Sequence, residues 1–290
     1  MGNALDSARQ NLTDRALESD QLSARFLARG VERELAQWQR ELLDVGNDPG
    51  IRRLAGDASR SGWKDRDALV TALQSHRETA IRVRNKQQRF PDISWFIVDH
   101  AGYQRWRDPA SPETLDQLWS HRDYYHGDGV EHSPDQLPEL LTPIDSPHVS
   151  LAFRSRATGK YMVALSVPIR DDSGVIVAIL AGTRHLGQVL SSPYELYRNP
   201  IRGQAGRTIA VADSRDGRLL DHPWLASRQA PNSTQSPLAL EPELLRQLNV
   251  PATDDLSASR SGRFAHYRDP SALFDPAYDG EWLAAFSRVG

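Results

Sequence analysis

The stretch that decides the fold is HVSLAFRSRATGKYMVALSVPI, residues 148–169, with VIVAILAGT, residues 175–183, after it. β-Branched and other apolar residues dominate both stretches, and Gly159 and Gly174 lie in turn-forming sequences between the apolar runs. Runs of this length bounded by such turns are typical of neighbouring antiparallel strands. We therefore predict a three-stranded antiparallel meander over Val149–Arg156, Tyr161–Pro168 and Val175–Thr183.

A strand pair and two helices are predicted upstream of this meander. Ile93–Asp99 has the pattern of a buried strand, and Tyr103–Trp106 the pattern of a returning strand. Apolar residues at three- and four-residue steps, Leu12, Phe26 and Trp38 among them, predict one long amphipathic helix over residues 5–43. A second helix is predicted over about Asp65–Gln87.

A polar segment over residues 108–147, with a short helix predicted around Glu113–Trp119, joins the strand pair to the meander. Helices, a strand pair, a crossing segment and a meander describe a PAS-like α+β module. Strand patterns within 207–213, 262–267 and 281–286 indicate a second, shortened module of the same kind.

The predicted organisation is thus a long N-terminal helix followed by two PAS-like modules with antiparallel sheets. The helix would serve as a spine over residues 1–56. A ligand-binding module would follow over 57–190, and a second module, which stops before its last strand, over 191–290. The boundary between the two modules is expected near residues 191–200.

The amino-acid composition excludes several classes of function. The chain has 290 residues, a formal net charge of -3 and no cysteine. Nothing in that charge indicates nucleic acid as a partner, and the missing cysteines exclude disulfides and thiolate chemistry. No apolar run approaches the ~20 residues of a membrane helix. Neither a phosphate-binding glycine loop nor a nucleophile elbow occurs, so we expect no enzyme activity.

The segment WSHRDYYHG, residues 119–127, indicates a pocket with a charged anchor and aromatic walls. Arg122 is suited to bidentate binding of a carboxylate, and Tyr124 and Tyr125 offer apolar faces with hydroxyl tips. Trp106 and Trp119 are candidates for the same wall. Alternatively, Arg122 ties the 108–147 segment to the sheet through backbone carbonyls, and one of the two tyrosines is simple core.

Taken together, these features resemble the double Cache family of extracytoplasmic sensor domains. The resemblance depends on the long leading helix, the Arg122, Tyr124 and Tyr125 turn, the 153–169 strand block and the glycine-turn strand 172–182. It implies an extracytoplasmic, periplasmic portion of a bacterial inner-membrane receptor. The same chain would carry a cytoplasmic output domain, as in chemoreceptors, histidine kinases and Ser/Thr kinases. A homodimer through the N-terminal helix is also implied.

The resemblance also implies a ligand. Amino-acid-sensing members use an arginine and two aromatics at the turn, which Arg122, Tyr124 and Tyr125 match. Their later aspartate, which binds the ligand's ammonium group, is replaced by Thr183, with Arg184 beside it. Losing a carboxylate and adding a cation favours an anion, so we expect a small carboxylate or other small polar molecule.

Further candidate ligand contacts lie on the meander. Phe153 stands where a tyrosine is expected from the resemblance. Ser155 follows Arg154 on the first meander strand, and strand alternation predicts that only one of the two faces the pocket. The ligand-binding set is completed by the end of the third strand, at Thr183 and Arg184. Alternatively, Arg184 and His185 form an ordinary helix-cap cluster.

The nine histidines raise the question of a metal. His121, His126 and His132 cluster with carboxylates, but their spacing matches no tight helical pair, and we expect solvated loop histidines. No metal site and no cofactor are therefore predicted. Two alternatives to a sensor remain, a ligand-free structural or dimerisation module of a signalling protein, and a hydrolase that acts through the histidine-rich loop.

Overall fold

The computed structural model describes residues 2–87, 89, 92–138, 141–188, 208–227, 238–248 and 261–289. The chain divides into two compact units. Unit 1 comprises Met1–Leu35, Asp216–Arg218 and Leu238–Gly290, and unit 2 comprises Ala36–Arg215 and Leu219–Pro237. The predicted boundary region, 191–200, lies outside the described residues, so the domain limits 1–56, 57–190 and 191–290 stay predictions.

Three helices open the chain: α1 (Gly2–Gly46), α2 (Pro49–Arg60) and α3 (Asp67–Lys86). The sequence predicts α1 and α3, whereas for the start of α2 the residues Asn47-Asp-Pro-Gly50 indicate only a turn that ends α1. Asp48 caps α2, because its Oδ1 accepts the backbone N–H of Ile51 at 3.0 Å, and Pro49 fits the first helical turn. The turn residues therefore start a new helix.

The buried stripe of α1 differs in part from the prediction. Trp38 and Leu42 are fully buried in unit 2, and Leu27 and Val31 are buried in unit 1. Leu12 and Phe26, which were expected on the same stripe, are 69% and 63% exposed. An ideal helix turns 100° per residue, so a series of apolar residues chosen at mixed three- and four-residue steps does not stay on one face of the helix. Leu12 and Phe26 belong to that series but lie outside the buried face.

Unit 2 is built on an antiparallel sheet of six strands: β1 (Ser94–Asp99), β2 (Gln104–Asp108), β3 (His148–Val149), β4 (Phe153–Arg154), β5 (Tyr161–Arg170) and β6 (Ile176–His185). The strand order is β2-β1-β6-β5-β3, and β4 also pairs with β5. The predicted meander is present, but its first strand is interrupted between β3 and β4. The Ser150 hydroxyl there accepts the backbone N–H of Ala164 at 3.0 Å, and so ties the interruption to β5.

Strand alternation gives this sheet two distinct faces. Phe96 and Val98 of β1 share one face with Ala181 of β6, in a hydrophobic cluster that includes Tyr124. We call this the pocket face. Trp95 pairs with Gly182 in the alternate register and lies on the opposite face, which we call the helix face because Trp38 of α1 lies there.

Asp92 organises the helix face. Its Oδ2 accepts the indole N–H groups of Trp38 and Trp95, at 2.9 and 2.8 Å. Its Oδ1 accepts Nε of Arg184 at 3.0 Å, and the Arg184 guanidinium lies 4.1 Å from the centre of the Trp38 ring. A buried carboxylate with three donors satisfies the requirement that buried charges be paired and hydrogen-bonded.

The remaining elements are short. Unit 2 also contains β7 (Val211–Ala212), β8 (Leu219–Asp221) and α5 (Pro223–Ser227). Unit 1 contains α6 (Pro242–Leu248), β9 (Ser261–Tyr267) and β10 (Trp282–Ser287), and β9 pairs with β10. The strands expected within 262–267 and 281–286 are thus present, whereas only Val211 and Ala212 of 207–213 form a strand among the described residues.

The predicted α+β class, with a long N-terminal helix and antiparallel sheets, is confirmed. The assembly of β7–β10 into a second PAS-like sheet stays a prediction. The helix predicted around Glu113–Trp119 is wrong, since only Pro112–Thr114 forms a single 3-10 turn. Leu115 leaves it with extended backbone and Asp116 has a positive φ of 55°, which ends helical hydrogen bonding.

Candidate functional site

The candidate site is built on α4 (Asp123–His126), a single helical turn within the 108–147 segment. Arg122 precedes this turn with extended backbone, and Gly127 ends it in the left-handed conformation at φ 76°. Glycine adopts that conformation without the strain that a Cβ would add. Adjacent side chains at 123–126 therefore project as from a helix and not alternately as from a strand.

Asp123 anchors this turn to the sheet. Its buried carboxylate accepts the backbone N–H groups of Gly129 and Leu151, both at 2.7 Å, and Nε2 of His148 lies 3.0 Å away. Burial acts to raise the pKa of Asp123, but these hydrogen bonds outweigh it and the net pKa is lowered. The ionised carboxylate thus joins α4 to the chain around β3.

A hollow lies between the pocket face, α4 and the turn after β4. Its volume is about 20 Å³, which is enough for about one or two water molecules. The residues that line it are Phe96, Gln104, Arg107, Thr114, Trp119, Arg122, Tyr124, Phe153, Arg154, Ser155, Arg156, Ala157, Met162 and Thr183.

Aromatic rings form one wall of the hollow. The Tyr124 ring lies edge-on to Phe96 at 5.0 Å and to Phe153 at 5.4 Å. Trp119 is fixed in place because its indole N–H donates to the carbonyl of Thr114 at 3.1 Å. Burial raises the pKa of Tyr124, and no hydrogen bond to its hydroxyl occurs within the described part of the chain. This hydroxyl is therefore available to a ligand.

The lining is strongly cationic. It includes four arginines, Arg107, Arg122, Arg154 and Arg156, and no acidic side chain. Among the described residues, the Arg107 guanidinium makes no ion pair, and its buried Nε has no hydrogen-bond partner. Burial lowers the pKa of Arg107, although Tyr124 and Glu113 partly oppose the shift. A half-buried guanidinium without a partner is a site where an anion is stabilised.

Arg122 differs from Arg107, because a carboxylate of the same chain already binds it. Its Nη1 donates to Glu131 Oε2 at 2.8 Å, and the other carboxylate oxygen accepts the backbone N–H of Asp123. The guanidinium also lies 5.7 Å from the centre of the Trp119 ring and 5.3 Å from that of Phe153. Burial raises the pKa of Glu131, and Arg122 opposes that shift.

The structure brings most of the predicted ligand-binding residues together: Trp119, Arg122, Tyr124, Phe153, Ser155 and Thr183 all line the hollow. Arg154 and Ser155 both line the hollow, although strand alternation predicts that only one of their side chains faces it. β4 ends at Arg154 and a turn follows, with Gly159 N–H donating to the Ser155 carbonyl, so strand alternation does not extend to Ser155.

Three predicted residues lie elsewhere in unit 2. Tyr125 is buried, and its hydroxyl donates to the carbonyl of His100 at 2.6 Å. Trp106 pairs with Ile97 and shares the helix face. Arg184, one residue after Thr183, also points to the helix face, where it binds Asp92. Alternation along a strand accounts for Trp106 and Arg184.

Sequence reasoning missed Arg107, Gln104 and Thr114. Val98 pairs with Gln104 and Phe96 with Arg107, so one extra residue, Arg105, forms a bulge that sets both on the pocket face. Simple alternation from Trp106 would also have placed Arg107 opposite to it. The sequence signal that could have identified Gln104 and Arg107 was the predicted strand Tyr103–Trp106 with the residue after it, because the polar side chains there are also candidate ligand contacts.

The histidines of the 108–147 segment are not the solvated side chains that were expected. His121 and His126 are buried, with 6% and 8% exposure. Burial lowers the pKa of His121 to about 4, with a further contribution from the charge of Arg122. Burial also lowers the pKa of His126, against the opposing charge of Asp128. Both rings are therefore neutral near pH 7.

Several solved structures are similar to this chain at low identity. The ligand-binding domain of the Pseudomonas aeruginosa PAO1 amino acid chemoreceptor PctC, in complex with GABA, has 19% identity and a TM-score of 0.44, over 77% of this chain and 84% of that one. The Pseudomonas fluorescens chemoreceptor CtaA domain, in complex with L-serine, has 16% identity and a TM-score of 0.40, over 74% of each chain.

The sensor domain of the Vibrio cholerae histidine kinase DctB has 12% identity and a TM-score of 0.38, over 85% of this chain and 75% of that one. All three are ligand-binding or sensor domains, the class of protein that the sequence resembles. No protein-family model matches the chain, and no curated protein matches it. Within the described ranges, no helix is both long and apolar enough to cross a bilayer.

Proposed function

We propose that the chain is the sensor domain of a bacterial transmembrane receptor and that unit 2 binds a small carboxylate or another small anion in the hollow beside α4. The carrying observation is the composition of the lining, with four arginines and no acidic side chain. Guanidinium groups bind carboxylates through paired, charge-assisted hydrogen bonds, so the hollow selects for negative charge.

Arg107 is the proposed primary anchor. It has no ion-pair partner among the described residues, and burial already lowers its pKa. A bound carboxylate would supply the missing counter-charge and the missing hydrogen-bond acceptor. Tyr124, Gln104 and Thr114 would contribute neutral polar groups beside it, while Phe96, Trp119 and Phe153 would contact the apolar part of the ligand.

The cationic lining also disfavours a ligand with an ammonium group, because the hollow offers it no carboxylate. Thr183 lines the hollow, but its hydroxyl is 2.7 Å from the hydroxyl of Ser94, so this position carries no negative charge. Arg184, predicted as a second anion contact, binds Asp92 on the helix face. The anion would therefore be held by Arg107 and Arg122, with Arg154 and Arg156 at the turn after β4.

Ligand binding must open the hollow. A volume of about 20 Å³ holds about one or two water molecules, and acetate and lactate have more heavy atoms than that. The Arg122–Glu131 ion pair and the turn after β4 are the parts that would have to move. A ligand that prefers the open arrangement shifts the population towards it by the ratio of its two affinities. That shift is the proposed signal.

The receptor setting follows from the resemblance to double Cache domains. It includes an extracytoplasmic position, an output domain on the same chain and a homodimer through the N-terminal helix. No enzyme activity is proposed, because the hollow is lined by cations and aromatics, with no nucleophile and base set for catalysis.

The alternative function is a ligand-free structural or dimerisation module, and two features of the hollow favour it. The hollow is small, and Glu131 already neutralises Arg122. In that case the arginines stabilise the fold, and no small anion binds.

A thermal-shift screen followed by calorimetric titration distinguishes the two. The ligands are acetate, propionate, L-lactate, pyruvate, malonate, succinate and, as amines, glycine and GABA. Sensor function predicts at least one carboxylate that binds with one site per chain and loses at least tenfold in affinity in Arg107→Gln. Arg60→Gln, an exposed arginine paired with Asp57, is the matched control and should bind as the parent does. No binding by any carboxylate would support the structural module.

A further inference from the structure

We propose that His126, His132 and Asp128 form a binding site for a divalent transition-metal ion, with Zn²⁺ as the reference ion. The proposal is independent of the anion-binding function, because none of the three residues lines the hollow. It revises the expectation of solvated loop histidines.

The donor atoms are already close together. One ligand atom from each of the three side chains lies within 4.8 Å of the others. Donors around a tetrahedral Zn²⁺ at about 2.1 Å are about 3.4 Å apart, so a contraction of at most about 1.4 Å between donor atoms would bring them to that spacing. Asp128 and His132 lie after α4 in a segment without regular structure, where side chains can make this adjustment.

The second observation is the state of the imidazole nitrogens. Nε2 of His126 and Nε2 of His132 are both buried and have no hydrogen-bond partner within the described ranges. The His126 side chain is only 1% exposed. The carbonyl of His121 accepts the backbone N–H of His132 and also lies near enough to the His126 ring to raise its pKa. Because a carbonyl oxygen can accept two hydrogen bonds, the nitrogen that most needs a partner is Nε2 of His132. Buried polar atoms without partners are rare in folded proteins, and a metal ligand is one reason for them.

The local arrangement also suits a metal electronically. Nδ1 of His126 accepts the Asp128 N–H at 3.1 Å, so the neutral ring carries its proton on Nε2. Nδ1 lies 3.2 Å from Asp128 Oδ2 and is the nitrogen whose lone pair can bind an ion beside that carboxylate. Metal-bound histidines usually donate the second ring N–H to a carbonyl, a carboxylate or water, and the carbonyl of His121 lies near the His126 ring for this role. Two imidazoles and one carboxylate favour Zn²⁺, Ni²⁺ or Cu²⁺ over Ca²⁺ or Mg²⁺, which prefer oxygen ligands.

The test uses the full chain without an affinity tag, treated with EDTA and dialysed. Calorimetric titration with ZnCl₂ should show one ion per chain, and Co²⁺ should give visible absorption bands that report nitrogen ligation. His126→Ala/His132→Ala should abolish both signals, and Asp128→Asn, at an exposed position, should weaken Zn²⁺ binding about tenfold.

His266→Ala is the matched control. His266 is exposed in β9 and pairs with Glu281, so its loss should leave Zn²⁺ binding unchanged. The proposal is overturned if no ion binds, if the His126→Ala/His132→Ala chain binds Zn²⁺ as tightly as the parent, or if His266→Ala removes the site. If the double variant is unfolded by circular dichroism, the Asp128→Asn titration decides, and unchanged affinity there overturns the proposal.

Discussion

Arg122 Nη1 and Glu131 Oε2 form an ion pair of 2.8 Å at the edge of the hollow. The chain thus places its own carboxylate on the guanidinium that the sequence identified as the ligand anchor. The Glu131 side chain is three-quarters buried, and burial raises its pKa, so its charge depends on Arg122. A carboxylate ligand that binds Arg122 must compete with Glu131.

Glu131→Gln should therefore tighten carboxylate binding about tenfold, because the amide cannot match the charge that the ligand brings. The free energy of unfolding should fall by about 1–3 kcal/mol, since Arg122 loses its ion pair. Calorimetric titration with the best carboxylate of the screen, together with urea unfolding, measures both. Asp57→Asn, an exposed acid in α2, is the control. Weaker carboxylate binding in Glu131→Gln would show that Glu131 does not compete.

Arg107→Gln separates binding from stability. Because Arg107 makes no ion pair among the described residues, its removal should change the free energy of unfolding by less than about 1 kcal/mol. The same change should weaken carboxylate binding at least tenfold, because a charge-assisted contact is lost. Urea unfolding and calorimetric titration on the same preparation test this. A loss of stability of several kcal/mol with unaltered binding would make Arg107 a structural residue.

The adjacent tyrosines should behave in opposite ways. Tyr125→Phe removes the 2.6 Å hydrogen bond to the His100 carbonyl, which should cost about 1 kcal/mol of stability and leave ligand binding unchanged. Tyr124→Phe removes a hydroxyl that makes no hydrogen bond in the described ranges, so stability should stay constant while carboxylate affinity falls a few-fold. Equal effects of the two variants on binding would contradict the assignment of Tyr124 alone to the hollow.

The meander and the strand pair could be predicted from sequence, because β-branched runs between glycine turns have few other low-energy structures. The anchor segment 119–127 could also be predicted. The contact of Glu131 with Arg122 could not be predicted, because it depends on how the 108–147 segment folds, and that segment has no helical or strand periodicity. The bulge at Arg105 and the break between β3 and β4 were missed for a related reason, because both are local departures from strand alternation.

The same limit explains the histidines. The sequence shows three histidines in a polar segment, and polarity indicates exposure. In the structure, Asp123 binds His148 of β3 and the N–H of Leu151, and His121 and His126 in the same segment are buried. The polar composition of the segment favours exposed histidines, and the tertiary contacts of the segment, those of Asp123 among them, are not visible in that composition.

The stability of the protein should depend on pH through Asp123. Its pKa is lowered below the ordinary value of 3.8 by hydrogen bonds that outweigh burial, so its stabilising contribution is present above that value and is lost as the pH falls through the lowered pKa. The difference in the free energy of unfolding between the parent and Asp123→Asn should therefore be constant from pH 6 to 5 and shrink below about pH 4. Urea unfolding across this range measures it, and a difference that does not change with pH would refute the prediction.

Gly182 tests the packing on the helix face. A methyl group at this position would lie 2.4 Å from Asp92 Oδ2, so Gly182→Ala should destabilise the protein by about 1–3 kcal/mol. Asp92→Ala removes the atom that the methyl group meets. The cost of the double variant should be less than the sum of the two single costs. If the losses in the free energy of unfolding are additive, a methyl group at position 182 does not clash with the Asp92 side chain.

Thr183 and Arg184 are neighbours on β6, yet one lines the hollow and the other contacts Trp38 of α1. A single peptide bond therefore separates the ligand's surroundings from the long helix. If an entering ligand moves the backbone at Thr183, Arg184 must move with it, and a densely packed interior leaves little free space to absorb that motion. Under the proposed function, the C-terminal part of α1 would therefore respond directly to occupancy of the hollow, because Arg184 lies against Trp38.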